Sequence, residues 1–558
     1  MFDSARQAGR RATRSARAVA DRSAEARAQA TGQLVELGTA ARADDPRHWK
    51  ALAACVLAAV AAAIDPPILQ ATSAGVQGAL RVAPEAAAQL VGLYYVIQAA
   101  VMVGAGVLGD RFGRRRMLLV GLAGMLTTTM VVAVAPTAAQ LVTGHVGLSL
   151  FTAIVVPLSL AGVMLTFDPR LRPVAIGIYI ASQLSAALLS PPLAQFMYDL
   201  GGIPATMLPA LLATLTALYG LYRWLPEAPR GSAFGRFDAL SLFLWSLGML
   251  AIVYGLIALA GGWGSLRELA VLVGVIMLLA AGSRLARRTG HFELPNVPFR
   301  VIGVTLIAGA ILGVTQSGTL LHLSNFLKGV AGYGEFASGL ALTPYVVATL
   351  VVSLATGVAL AGRYRVGEVP MSVFRRPISV GLALVGVALL LLGLLEIDTG
   401  YLLIGVALAL LGVGASLANV PRTDLLFRSV RDDRVGVAAG LNGSSILLGE
   451  ALGNVAVTAI VALTGAATAQ VKLIAVGFSP EEATQLIHEA SRAAFLAAAH
   501  PFLEPSYLDL AVRVPGWPET FAAGYASAMV VFASLAAAGT VVALIGLRHV
   551  RRASPAEE

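Results

Sequence analysis

Cysteine and lysine are nearly absent from this chain. Its 558 residues include one cysteine, Cys55, which sits in an apolar run. That excludes a disulfide framework and a thiolate metal site. Three lysines (Lys50, Lys328, Lys472) stand among 40 basic residues. The arginine bias, with abundant Ala, Val and Gly, marks a GC-rich bacterial genome and carries no functional meaning. Charge is also scarce: 13% of residues are charged and 57% are hydrophobic. No GxxxxGK[ST] phosphate loop is present, so nothing points to a nucleotide-driven pump. Residues 1–48 lack the apolar core of a cleavable signal peptide. The pI of about 9.9 does not imply nucleic-acid binding, because the basic residues lie where a membrane topology puts them. No cofactor, metal or enzymatic chemistry is expected.

What the chain has is apolar runs near 20 residues, recurring to its end, with a mean hydropathy of +0.78. A run of that length spans the hydrocarbon core as a helix. Strands would leave backbone groups unsatisfied in lipid, so the spans are helices. Fourteen are read: about 50–72, 86–108, 117–135, 138–166, 173–195, 203–224, 239–260, 267–286, 300–322, 337–362, 377–395, 400–420, 436–464 and 521–547.

Alternate loops concentrate arginine: Arg111 and Arg114 to Arg116, then Arg170 and Arg172, then Arg223, Arg230 and Arg236. Further on come Arg287, Arg288 and Arg300, then Arg363, Arg365, Arg375 and Arg376. Last are Arg422, Arg428, Arg431 and Arg434, and the tail with Arg548, Arg551 and Arg552. By the positive-inside rule these loops and both termini are cytoplasmic, and the alternation survives all fourteen crossings. Residues 1–49 form a basic cytoplasmic arm. It is either amphipathic and close to anionic lipid, or a disordered tail. The bundles are 50–224 and 300–547, with two inserted helices at 239–286 and a tail at 548–558. An outer loop spans 465–520, where Ser479-Pro480-Glu481-Glu482 has the form of a helix start.

The most informative stretch is Gly106-Val107-Leu108-Gly109-Asp110-Arg111-Phe112-Gly113-Arg114-Arg115-Arg116. Gly106, Gly109 and Gly113 let helix ends approach closely. Asp110 stands at a helix end, where it can pair with Arg114 or cap a neighbouring helix. Such a cluster, with Arg111 and Arg115, can hold a gate closed; alternatively the arginines only set topology.

Two acids lie inside apolar helices. Asp65 precedes Pro66 and Pro67. A charge there costs roughly 2.5–3.5 kcal/mol or more, so the carboxyl exchanges its proton readily, as a proton carrier must. It can also be permanently protonated, or wet. Glu450 lies mid-helix, with Asn442 eight residues before it and Asn454 four after. It can carry a proton, bind a cationic substrate, or only bond between helices. Gln183, Gln195, Gln316, His322 and Asn325 can line a cavity or bond between helices.

The Gly106 to Arg116 stretch resembles, at every defining position, the loop 2–3 signature of the major facilitator superfamily. Fourteen spans and a long loop before the last helix are similar to its 14-helix drug:proton antiporter subfamily. The resemblance covers about residues 50–547. Ala63-Ile64-Asp65-Pro66-Pro67-Ile68 resembles the subfamily's helix-1 motif, and Gly436 to Gly453 resembles its helix 13. Two motifs differ. His145 stands where helix 4 usually carries arginine, and as histidine it titrates near neutrality. The helix-5 signature Gly-Pro-x-x-Gly-Gly is replaced by Ser190-Pro191-Pro192-Leu193-Ala194-Gln195, which keeps the proline bend and loses the glycines.

The resemblance implies an all-α polytopic membrane protein of two six-helix bundles plus two extra helices, in a bacterial inner membrane, acting as a monomer. It implies proton-coupled efflux of amphiphilic or cationic small molecules by alternating access. Asp65, Glu450 and His145 are then the coupling residues, and the partners are substrate, protons and the bilayer. Two other readings stand beside it: an exporter of lipid or cell-envelope precursor, and a non-transporting membrane scaffold or sensor.

Overall fold

The computed structural model describes residues 45–71, 84–227, 239–259, 265–288, 299–363, 369–396, 398–475, 477, 479–482, 517–548 and 552–553. Most of the N-terminal arm and most of the 465–520 loop lie outside the described residues.

Apolar sequence becomes helix almost throughout. The first half is α1 (Pro46–Ala71), α2 (Pro84–Phe112), α3 (Arg114–Ala133), α4 (Ala138–Thr166) and α5 (Arg172–Trp224). Then come α6 (Ala239–Leu259) and α7 (Ser265–Arg288). The second half is α8 (Phe299–Gly329), the short α9 (Glu335–Leu340), α10 (Thr343–Arg363), α11 (Ser372–Leu392), α12 (Tyr401–Arg428), α13 (Val435–Ala475) and α14 (Trp517–Gly546). A small antiparallel pair, β1 (Val369–Pro370) with β2 (Arg552–Ala553), ties the tail to the turn before α11.

Among the described residues, ten helical segments are long and apolar enough to cross a membrane. One of them, α5, is two helices joined at Gly201 and Gly202. Gly202 has φ 65°, a conformation that suits glycine. The ends follow local chemistry: the Thr137 hydroxyl accepts from the Gln140 amide at the start of α4, and Pro173 opens α5. The predicted start at Ser479 is a capping box. The Ser479 hydroxyl accepts from the Glu482 amide at 3.2 Å, and the Ser479 amide donates to Glu482 Oε2 at 3.0 Å.

Those bonds hold the exposed Glu482 carboxyl below the usual carboxylate range. A group so depressed contributes while it is ionised, and the contribution is lost as pH falls through its folded value. The protection of the Ser479 and Glu482 amides, relative to their intrinsic exchange rate at each pH, should therefore be present at neutral pH and lost below the carboxylate range. Protection there that does not change across that range would contradict the box.

In the first half α1 packs along α5, and α3 along α4; in the second, α8 packs along α13, and α11 along α12 and α14. The halves meet at two seams, α2 with α13 and α5 with α10. The pair α6 and α7 lies against α2, where Trp245, Met249 and Leu278 cover Ala99 and Ala100 beside Leu447 and Leu448 of α13. Outward-facing side chains are apolar, for example Leu402 at 81% and Val134 at 74% exposure. Apolar surface on this scale suits lipid, not water.

Candidate functional site

At one end of the molecule, α2 passes into α3 through a single residue, Gly113, with φ 101°. This tight turn places Asp110 one turn before Arg114, whose Nε donates to Asp110 Oδ1 at 2.6 Å. The same carboxylate reaches the opposite half. Oδ1 accepts from the Gly436 amide and Oδ2 from the Val437 amide, each at 2.9 Å. These are among the first amides of α13, which have no partner within their own helix. An anion at that position is also favoured by the helix dipole. Asp110 therefore both pairs and caps, and the first amide it accepts from lies 326 residues later.

The rest of the loop reinforces the clasp. Arg114 Nη2 donates to the Asp432 carbonyl at 2.5 Å. Arg115 donates to the Tyr222 carbonyl and stacks on its ring, and the Arg111 guanidinium lies over the Phe112 ring. Close approach needs glycine on both sides: a Cβ on Gly436 would lie 2.6 Å from the Gly106 carbonyl, and one on Gly106 would collide with the Gly436 backbone. Gly109 likewise abuts Leu158 of α4. Further along this seam the Ser444 hydroxyl donates to the Ala99 carbonyl at 3.1 Å. The second seam closes at the same end. There Gly177 meets the Ser353 backbone and Gly357 meets the Pro173 backbone. Arg428, paired with Asp424 at 2.9 Å, donates to the Pro169 carbonyl across the halves.

Deeper in the second half, three helices bring polar groups together. Glu450, half-buried on α13, lies within electrostatic reach of Tyr345 on α10. The Tyr345 hydroxyl donates to Gln316 Oε1 on α8 at 3.2 Å. One turn past Glu450, Asn454 Oδ1 accepts from the Ser317 hydroxyl at 3.0 Å, and the buried His322 lies beside the Asn454 backbone. Glu450 makes no ion pair with any described residue. Gln316 bonds to Tyr345 and Asn454 to Ser317, each between helices. Asn442 bonds elsewhere: its Oδ1 accepts from Arg422 Nη1 at 2.9 Å.

Arg422 corrects the sequence reading, which counted it among loop arginines. The helix α12 runs on to Arg428, past the expected end near residue 420, and carries Arg422 inside with 0% exposure. It is the largest fully buried side chain among the described residues. Asn419, one turn earlier, accepts from Nε at 3.0 Å and from Nη2 at 2.8 Å, and the Thr305 carbonyl accepts from Nη1 at 3.3 Å. Its acceptors are neutral, so α8, α12 and α13 are pinned by a cation without a described counter-charge. The signal lay in Asn419-x-x-Arg422, a donor and acceptor one turn apart in an apolar helix.

Truncation here should be severe. We expect Arg422→Ala to cost about 3–5 kcal/mol, from the cavity and the stranded amides together. Arg422→Met, which keeps volume, should cost clearly less. Thermal unfolding in detergent measures both; equal losses would mean that packing contributes little.

The remaining predicted residues are dispersed. His145 is buried on α4, and its Nδ1 donates to the Leu141 carbonyl at 2.9 Å. Leu141 packs in a cluster with Ile64, the residue before Asp65. Asp65 lies in α1, but its side chain lies outside the described residues. Pro191 and Pro192 sit inside α5, where Ser190 donates to the Ala187 carbonyl at 2.8 Å; non-helical angles come only at Gly201 and Gly202. Pro192 meets the short helix α9 of the other half at Gly339. Gln195 donates to Asp199 at 2.9 Å, and Gln183 is half-buried on α5. Among the described residues no group of His, Cys, Asp and Glu is placed to hold a metal ion.

Comparison with known proteins gives this geometry a setting. The Major Facilitator Superfamily profile matches residues 51–454. The chain is 27% identical over 412 residues to the tetracenomycin C resistance and export protein of Streptomyces glaucescens, covering 73% of this chain and 74% of that one. It is 27% identical over 512 residues to a multidrug efflux pump of Mycolicibacterium smegmatis, covering 90% and 97%. Among solved structures, the human organic anion transporter TETRAN superposes with a TM-score of 0.53 at 15% identity, covering 83% of this chain and all of that one. The POT family transporter PepTSo superposes with a TM-score of 0.55 at 12% identity, covering 90% and 98%.

Proposed function

Because the chain belongs to the Major Facilitator Superfamily, we propose that it exports amphiphilic or cationic small molecules by alternating access, in exchange for protons. The observation that carries the coupling is Glu450: a half-buried carboxylate among three helices, with phenol and amide neighbours and no described cation. Such a group is costly to hold charged, so it releases its proton when a cation or water arrives and regains it otherwise. Asp65, in α1, is the second candidate, and His145 the third. The Asp110 clasp supports the alternating part. It joins the two halves by hydrogen bonds that one rocking motion breaks together. The relatives, an antibiotic export protein and a multidrug efflux pump, support drug export.

We read the membrane-spanning count as fourteen. Both halves of α5, together with α2, α6 and α7, are counted beside the other long helices. The arginine-rich end that holds the clasp is read as cytoplasmic, with both termini there, in a bacterial inner membrane, and the protein as a monomer. The test uses purified full chain in proteoliposomes loaded with a fluorescent lipophilic cation. Imposing a proton gradient should drive the cation out, and collapsing the gradient should stop it. Efflux indifferent to the gradient would overturn proton coupling. No movement of any cation, with tight lipid binding instead, would favour an envelope-precursor exporter.

A further inference from the structure

A groove of about 570 Å³ runs between α3 and the second part of α5 on the outside of the first half. That is within the size range of ligand pockets. It is lined by Leu119, Val120 and Ala123 from α3 and by Leu215, Tyr219 and Tyr222 from α5. Both walls are stripes at helical spacing, and both end in arginine at the same end. On α3 the stripe begins at Arg116, one turn before Leu119 and Val120. On α5 it finishes at Arg223, one turn after Tyr219. Arg115 lies at the mouth, its guanidinium 5.7 Å from the Tyr222 ring centroid. Its buried Nε has no hydrogen-bond acceptor among the described residues. Arg116 and Arg223 are exposed. The acid beside this rim is Glu227, which reaches the Gly113 turn. Three arginines against one carboxylate leave the mouth positive. Trp224, against Tyr219 and under Lys50, sets aromatic rings at the same level, where a bilayer has its headgroups.

We propose that this groove is a binding site for an anionic glycerophospholipid of the bilayer. One acyl chain lies along the apolar walls, and the phosphate is held by Arg115, Arg116 and Arg223. The match is one of charge and length together: an apolar slot open to the bilayer, closed at one end by a cationic rim at headgroup depth. The planar guanidinium forks suit phosphate oxygens. A zwitterionic lipid offers the same chain and phosphate but adds a cation that the rim repels. The headgroup so placed lies one residue from Arg114, which grips Asp110. The site is independent of which solute is transported.

The test uses purified full chain in nanodiscs of phosphatidylcholine, with or without phosphatidylglycerol, followed by native mass spectrometry and thermal unfolding. Phosphatidylglycerol should be retained at a saturable site and should raise the melting temperature. Phosphatidylcholine alone, or inorganic phosphate without lipid, should do neither. Val120→Trp fills the slot from one wall and Leu215→Trp from the other, and the pair Arg116→Gln with Arg223→Gln discharges the rim. Each should weaken retention by about tenfold, which is about 1.4 kcal/mol, while unfolding in pure phosphatidylcholine stays as in the unaltered chain. Equal retention of the two lipids, a shift reproduced by phosphate alone, or full retention in both slot-filling variants that fold would overturn the site.

Discussion

Replacing Asp110 with alanine should open the end of the molecule where the clasp lies. The wild-type carboxylate accepts from Arg114 and from two amides of α13. Alanine strands all three donors, including a guanidinium whose side chain is 7% exposed. Breaking a buried pair on one side costs about 3–5 kcal/mol. This cost falls on the closed arrangement alone, because in an opened one water reaches the same groups. At 1.4 kcal/mol per decade, the closed-to-open ratio should fall by roughly two to three and a half decades. Asp110→Asn, which keeps one carbonyl acceptor and no charge, should fall between. A reporter cysteine at Val103, buried in the α2 and α13 seam, reads the change in a Cys55→Ser background. Its alkylation should accelerate strongly in Asp110→Ala. Unchanged labelling would mean that the carboxylate is not what keeps this end shut.

Replacing Glu450 with glutamine should separate transport from its driving force. Glutamine matches the protonated acid in size and leaves the Tyr345 to Gln316 bond untouched, so α13 should pack as before. What is lost is the exchangeable proton and the charge. In vesicles the variant should still equilibrate substrate by exchange but fail to concentrate it against a gradient, and its pH dependence should flatten. Affinity for a cationic substrate should fall by about tenfold or more, the worth of one charge-assisted contact of ~1.5 kcal/mol or above. Retained uphill efflux with normal pH dependence would remove Glu450 from the coupling. Asp65→Asn would then be the variant expected to flatten it. Loss of exchange as well, with intact folding, would make Glu450 a part of the closed packing.

Much of the scaffold was legible because lipid simplifies the problem. Apolar runs and arginine-rich turns announce helix positions, and the range 138–166 matches α4 end to end. The Gly106 to Arg116 loop also declared its chemistry, since an aspartate at a helix end has few uses. What it could not declare was the partner. Gly436 and Val437 show no side-chain signature, and backbone amides become donors only when another helix end is brought near. Arg422 failed for the opposite reason. Basic residues near a helix end look like topology signals until the helix is seen to continue and Asn419 and Asn442 are seen to converge. Asn442 was therefore grouped with Glu450, on whose helix it lies, when its bond is to a different helix. The polar cluster around Glu450 was half legible: Gln316 and Asn454 stood out as amides in apolar helices, while Tyr345 and Ser317 did not.

The hairpin of α6 and α7 lies over the α2 and α13 seam, and among the described residues nothing comparable lies over α5 and α10. Among the described residues the molecule therefore has a walled flank and a bare one. A solute entering sideways from the bilayer would meet one flank sealed by Trp245 and Met249 and the other fringed by Gly177 and Gly357. If solute enters from the bilayer, the described residues leave it one flank only, although the two bundles are built as counterparts.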